Sequence, residues 1–456
     1  MKIVFLLHNG YGIGGTIRTT FNLAGALAER GHEVEIASMM RHRTAPRLPL
    51  ESRVRLVPLV DTRASGPDAA NPLFAKPSRV FPASEKRYRQ YTRLIDERVE
   101  AYLRASDAEV IIGTRPGINV YLARFGPRQA LRIGQEHLSL SVHSKRLRAE
   151  LAAHYRHLDV VVTTTEADAA DYRRRMPLPG IRVLAVPNSV PDPGVEPPTG
   201  TTKVVAAVGR LAPGKRFDLL IESFATVAAK YPDWRLRIYG DGAERDRLQT
   251  LIGDLGLAGC VQLMGSRTPI EPELAKASLL ALSSDAESFG MAIVEAMRCG
   301  VPVVATDCPH GPGEIIRDGI DGRLVPVGDR EALAAALCEL VEDEPLRRQM
   351  AAVAPHSAAR YDPAVIALRY EELFAQLAAT RDERTRLRRR AALRAPLRHL
   401  ARRTGLLPLL RRIRRRAGRN QQPFPRHFDH AATVEGGTDD ASPGAGPSRS
   451  GMGMLD

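Results

Sequence analysis

The residues best suited to chemistry lie between Asp285 and Gly300. Glu287 and Glu295 stand eight positions apart, and Ser288-Phe289-Gly290-Met291 between them forms a short loop that opens into an amphipathic run. The first N–H groups of a helix lack intrahelical partners and carry partial positive charge, so they favour a phosphate. A carboxylate before such a terminus and another within its first turns can hold hydroxyls and a diol on either side of that phosphate. Taken alone, the pair could equally be one helix-terminal charge and one surface charge. Gly290 shifts the balance, because a missing Cβ lets backbone approach a ligand closely.

Two further stretches could meet the same ligand. Gly209-Arg210-x4-Lys215 puts two cations after an apolar run; an Arg fork and a Lys point charge together suit a diphosphate. Gly10-x-Gly12-x-x-Gly15 matches the dinucleotide fingerprint by letter. That reading requires an acid at the end of the second strand, where the chain has Ser38-Met39-Met40-Arg41. Gly14 and Gly15 are better read as a loop that lets backbone approach a phosphate held by another domain.

The elements that must position these residues alternate. Ile3 to Leu7 reads as a strand buried on both faces, Thr20 to Arg30 as a helix and His32 to Ser38 as a strand, a βαβ unit. Residues 40 to 85 show little periodicity. Glu85 to Ser106 reads as one amphipathic helix, and Leu131 to Gly134 as a strand with Gln135-Glu136-His137 in a polar loop at its end. Four prolines and two glycines between 191 and 200 mark a linker. The same grammar restarts with Lys203 to Val208. The expected fold is α/β, two facing Rossmann-like doubly wound parallel-sheet domains. Residues 1–190 and 202–355 form the domains, 191–201 the linker, and 356–380 a closing helix that crosses back to the first domain.

As a spaced set, Gly209-Arg210-x4-Lys215, Gly240-Asp241-Gly242, Glu287-Ser-Phe-Gly-x4-Glu295, Gly300-x-Pro302-Val303-Val304 and Asp318-Gly319-x-x-Gly322 resemble family 4 of the retaining glycosyltransferases. The resemblance covers residues 1 to about 380. It implies the GT-B fold and a nucleotide-diphosphate sugar, UDP- or GDP-linked, as co-substrate with no other cofactor. It places Arg210 and Lys215 on the diphosphate, Glu287 on sugar hydroxyls and Glu295 on the ribose diol. Ser288 and the backbone of Phe289, Gly290 and Met291 also meet the donor, Arg267 lies near the base, and Gly14 and Gly15 lie near the donor phosphate with Gly209. His137 follows a first-domain strand where the family often carries a histidine facing the reacting sugar, with Glu136 as its rival and His310 as a weaker candidate. The implied activity is hexosyl transfer to a glycan, cell-wall polymer or lipid-linked acceptor, with His137, Glu287, Arg210 and Lys215 as its catalytic residues. A sugar-nucleotide epimerase or hydrolase with the same cleft, and a non-catalytic arginine-rich binding protein, are the alternatives. Two cations in place of a metal, and the lack of any D-x-D triplet, point to metal independence.

The 456 residues carry a formal net charge of +14, which belongs to one segment. Residues 381–420 hold 16 arginines against Asp382 and Glu383, whereas residues 1–380 carry only +3. A basic, partly apolar segment suits an anionic membrane surface. Nucleic acid is a poor partner, because no aromatics interleave and no binding motif is present. Residues 421–456 read as disordered. The four cysteines lack metal-like spacing and read as reduced core residues. Without a signal peptide or a long apolar run, the expected location is cytoplasmic, with the basic segment suited to the inner face of a membrane.

Overall fold

The computed structural model describes residues 1–198 and 200–387. The membrane and disorder expectations for the remaining tail therefore lie outside the described residues.

Seven parallel strands form the first sheet: β1 (Lys2–Leu7), β2 (Glu33–Ser38), β3 (Arg55–Pro58), β4 (Val110–Gly113), β5 (Leu131–Glu136), β6 (Val160–Thr163) and β7 (Arg182–Ala185), in the order β3-β2-β1-β4-β5-β6-β7. Six form the second: β8 (Val204–Val208), β9 (Arg235–Tyr239), β10 (Val261–Gly265), β11 (Leu279–Leu282), β12 (Val303–Thr306) and β13 (Gly322–Val325), in the order β10-β9-β8-β11-β12-β13. Helices cover both faces, so the central strands are apolar without alternation; Ile3 to Leu7 are all essentially inaccessible. Strand order reverses beside β1 and β4 in one sheet and beside β8 and β11 in the other. At such switch points the loops after the strands diverge and leave a crevice for a ligand.

The helix Pro363–Ala379 returns to the first sheet. Ile366, Tyr370 and Phe374 join the core of Ile3, Phe5 and Leu7, and each such apolar burial contributes about 2 kcal/mol. Gln135 Nε2 donates to Tyr370 Oη at 2.6 Å, and Arg30 pairs with Glu371 at 2.7 Å.

Several local expectations are corrected. The single helix over 85–106 is a short 3-10 turn, Tyr88–Gln90, and a separate helix, Arg93–Ala105. Tyr91 lies extended between them because its ring stacks on Phe81 at 3.6 Å, and Thr92 caps the second helix by accepting from the Ile95 N–H. Tertiary packing overrides an amphipathic pattern there. Residues 40–85 contain β3, a half-exposed edge strand that ends in Pro58. Gln135 and Glu136 belong to β5 rather than to the loop after it. The described start of the basic segment is partly structural: Arg384 is buried and donates to Asp159 at 2.6 Å.

Candidate active site in the interdomain cleft

The second-domain side of the cleft is assembled from loops that follow β8 and β11. Gly209 and Arg210 leave β8, and Gly240-Asp241-Gly242 leaves β9 beneath them. A Cβ on Gly240 would sit 1.8 Å from the Gly209 carbonyl oxygen, and one on Gly242 would sit 2.2 Å from that of Leu211. The Leu211 N–H donates to the Asp241 carbonyl at 3.0 Å. The glycine pair thus lets two loops lie backbone to backbone, which aims Arg210 outward. Arg210 is exposed and has no ion-pair partner among the described residues. Arg267 is exposed beyond β10 and acts electrostatically on Glu273.

Lys215 Nζ donates to Glu287 Oε1, and Ser284 Oγ donates to the same oxygen at 2.7 Å. The helix Met291–Arg298 starts at Gly290, whose φ of 103° lies in the left-handed region, so a side chain there would be strained. Phe289 is buried edge-on against Tyr361, with ring centroids 5.5 Å apart. Ser288, Phe289 and Gly290 thus form a fixed turn, while Met291 at the helix start is half-buried.

The first domain meets this surface directly. Gly14 and Gly15 open the helix Gly15–Glu29, and nothing lies within 4 Å of either Cβ direction. Arg18, one turn further, pairs with Glu295 at 2.8 Å and with Glu271 at 3.2 Å. Burial pushes the Glu295 carboxyl up, and Arg18 opposes that shift. Ser139 Oγ donates to the Glu287 carbonyl at 3.3 Å, and Thr164 Oγ1 donates to that of Ser288. Glu314 accepts from the Glu166 and Ala167 N–H groups at 2.9 and 2.8 Å, capping a first-domain helix from the second domain. Sequence reasoning missed Arg18, Ser139, Thr164 and Glu314. Only Arg18 carried a signal, as a cation in the first turn of a helix that follows a glycine loop.

His137 lies just past β5. Its Nε2 is 3.2 Å from Gln135 Oε1, and its Nδ1 is buried without a partner among the described residues. Burial lowers its pKa to about 4, opposed by Asn188 and aided by Arg115, so the ring is neutral at physiological pH. A small recess beside it is lined by Thr19, Gln135, Asn188 and Tyr370. The rival Glu136 has turned into the helical layer, where it accepts from Tyr155 Oη and, at 3.0 Å, from Asn119 Nδ2. Its packing is that of a structural carboxylate. His310 stands 3.9 Å from Asp168 and 3.7 Å from Asp171 across the domain boundary.

Among the described residues no three His, Cys, Asp or Glu side chains are grouped to hold a metal ion, and no helix is long and apolar enough to cross a membrane. All four cysteines are free thiols. Ser38, at the end of β2, accepts from the Gly10 N–H at 2.9 Å. The position that a dinucleotide site would give to an acid instead braces the glycine loop.

Two doubly wound domains of this strand order, joined by a linker and sharing a closing helix, define the GT-B class. Residues 192–356 match the family described as glycosyl transferases group 1, and residues 13–192 match glycosyltransferase family 4. The chain belongs to the group 1 glycosyltransferases. It is 35% identical over 406 residues to an exopolysaccharide phosphotransferase of Streptomyces coelicolor, a match covering 86% of this chain and 42% of that protein. A lipopolysaccharide core biosynthesis glycosyltransferase of Rhizobium meliloti is 37% identical over 170 residues, 37% of this chain and 47% of that one. The chain thus spans less than half the length of these two relatives. Among solved structures, TarM of S. aureus in a complex that includes UDP superposes with a TM-score of 0.67 at 17% identity, covering 82% of this chain and 99% of that one. Sucrose-phosphate synthase of Thermosynechococcus elongatus superposes with a TM-score of 0.69 at 20% identity, covering 83% and 99%.

Proposed function

We infer that the protein is a retaining, metal-independent hexosyltransferase that moves a sugar from a nucleotide-diphosphate donor to a cell-envelope or exopolysaccharide glycan. One observation carries this reading. At the switch point of the second sheet, Lys215 and Glu287 are joined near Arg210, which has no ion-pair partner among the described residues, so cations suited to a diphosphate adjoin a carboxylate suited to sugar hydroxyls. The UDP in the TarM complex and the glycan-related names of the relatives support the same substrate classes.

In this mechanism the acceptor hydroxyl oxygen bonds to the anomeric carbon while the bond from that carbon to the diphosphate oxygen breaks. The hydroxyl proton passes to the departing phosphate oxygen on the same face. Arg210 and Lys215 stabilise the charge that grows on the leaving group, which makes them the largest protein contribution to rate. Glu287 holds sugar hydroxyls, and Glu295 turns from Arg18 to the ribose diol. The Ser288 to Met291 turn positions the donor together with Gly14, Gly15 and Gly209, and Arg267 lies toward the base. His137 faces the reacting sugar as a neutral hydrogen-bonding group. An anionic membrane surface remains a proposed partner of residues 381–420, tested by whether deleting 388–456 abolishes co-sedimentation with anionic vesicles.

A thermal-shift panel of UDP- and GDP-sugars tests the donor class. The matching donor should raise Tm progressively as its concentration exceeds its Kd. If no nucleotide sugar shifts Tm while the free sugars do, the reading is wrong.

A further inference from the structure

The first domain carries a second cationic surface that donor binding leaves unexplained. His8 follows β1 and Arg115 follows β4, so both stand at the switch point of the first sheet, where a ligand crevice is expected. Arg87, from the loop before the helix Arg93–Ala105, closes over them. Its Nη1 lies 3.2 Å from His8 Nε2 and donates to Gln90 Oε1 at 2.9 Å. His8 Nδ1 lies 2.8 Å from Tyr91 Oη. Arg87 must donate to Nε2, so that nitrogen carries no proton and the imidazole is neutral. Burial, then Arg87 and Arg115, lower the His8 pKa to about 3, which agrees with a neutral ring.

Charge in this crevice does not balance. Arg115 Nη2 pairs with Glu85 at 2.7 Å, whereas Arg115 Nε is buried and finds no hydrogen-bond partner among the described residues. Glu85 is nearly inaccessible and also accepts from the Arg87 backbone N–H at 3.3 Å. The Arg87 guanidinium has neutral side-chain partners and no ion-paired carboxylate among the described residues. Burial, then the charge of Arg115, weighs against its protonated form; Tyr91 and Glu85 oppose that shift in part, and Arg210, across the cleft, adds to it. Folding gains little from a half-buried cation held against two others, since desolvation and repulsion both oppose it.

We propose that His8, Arg87 and Arg115 form an oxyanion subsite on the acceptor side of the cleft, so that the sugar is received by a molecule carrying a phosphate ester or a uronic acid carboxylate. The proposal rests on the transferase reading above and names its acceptor class. Arg87 supplies a fork of which only Nη1 is engaged among the described residues, and a fork of this kind matches two oxygens of such a group. Neutral His8 orients that fork by accepting one of its protons. Tyr91, stacked on Phe81, holds His8 in turn. The subsite lies at the carboxyl ends of β1 and β4, whereas Arg210 and Lys215 lie at that of β8 and beyond it, so one cleft holds two separate anion sites.

The test uses the full chain, so that the basic tail is common to all variants and cancels in each comparison. Acceptor and donor KM are measured for the parent, Arg87→Gln, Arg87→Lys and Arg210→Gln with a neutral hexoside, its 6-phosphate and the matching uronide. In parallel, calorimetry measures binding of hexose 6-phosphate and of the neutral hexose. The parent should favour the charged acceptors. Arg87→Gln should raise their KM and weaken hexose 6-phosphate binding about tenfold or more, as for a lost charge-assisted hydrogen bond. Its donor KM should move less than about twofold by the same reasoning. Arg87→Lys should recover part of the loss, and neither variant should lower Tm. A rise in donor KM alone would assign the cations to the donor diphosphate and overturn the proposal. Equal KM for neutral and charged acceptors, or a drop in Tm that accounts for the loss, would also overturn it. If no acceptor is glycosylated, the transferase reading fails, and the calorimetric comparison still decides the oxyanion subsite.

Discussion

The two sides of the cleft are built differently. The second-domain side draws Arg210, Lys215, Glu287 and Glu295 from two short stretches of chain, each a loop that runs into a helix. The first-domain side draws His8, Arg87, Arg115 and His137 from four separate segments, one of them an irregular excursion. Cations on the second side stand beside a carboxylate and a helix start. Those on the first outnumber the acid that faces them. On the transferase reading, a donor shared by many enzymes can be held by local motifs, whereas an acceptor particular to one enzyme is met by side chains gathered from distant positions.

This contrast can be broken most severely at Lys215 and Glu287. Lys215→Ala or Glu287→Ala should each lower kcat/KM for the donor by about 10²–10³-fold, as for loss of a preorganised charge partner. A smaller loss than that from His137→Ala would move the chemistry to the first domain. The next effect is structural. Gly240→Ala puts a Cβ against the Gly209 carbonyl, and relief by a backbone shift should cost about 2–3 kcal/mol of stability and raise donor KM. Chemical denaturation and steady-state kinetics on one preparation check both.

Arg18 sharpens the comparison, since it joins the two sides. Arg18→Ala leaves Glu295 and Glu271 facing each other without a cation and should cost about 2 kcal/mol, measured by denaturation. Adding Glu295→Gln should restore much of this, and a double-mutant cycle showing no coupling would mean that the pair is incidental.

The smallest effect is pH-dependent. Burial raises the Asp168 carboxyl to about 6, opposed by the Leu140 N–H and His310. A carboxyl whose folded pKa lies above its unfolded value binds more protons when folded, so stability falls as pH rises from about 4 to 6 and then levels. Asp168→Asn should therefore gain stability over the parent at pH 7.5 and nothing at pH 4, measured by denaturation at the two pH values. His137 behaves oppositely. Its lowered pKa means that the neutral ring contributes stability fully above about pH 6.5 and loses it as pH falls toward 4.

Much of the fold was legible in the sequence because parallel strands buried on both faces are continuous apolar runs; the runs Ile3 to Leu7 and Lys203 to Val208 each agree with the strands Lys2–Leu7 and Val204–Val208 to within one residue. Edge strand β3 was not, because its residues are half-exposed and end in proline. The break at Tyr91 was not either, since the ring that forces it stacks on a residue ten positions away. Gly240, Gly242 and Gly290 signalled themselves because close backbone approach or positive φ admits little else. Arg87 did not, because an arginine in a polar stretch is by default a solvated charge, and only the fold shows that it closes over His8.

The most direct measurement is nucleoside diphosphate release by the full chain from its matching UDP- or GDP-sugar, with and without an envelope-glycan acceptor, in parent and Glu287→Ala. Release should be slow alone, rise strongly with acceptor as the sugar appears on it with retained anomeric configuration, and collapse in the variant. Release that is equally fast without acceptor, or unchanged in Glu287→Ala, would contradict a transferase whose donor site is the Lys215–Glu287 pair.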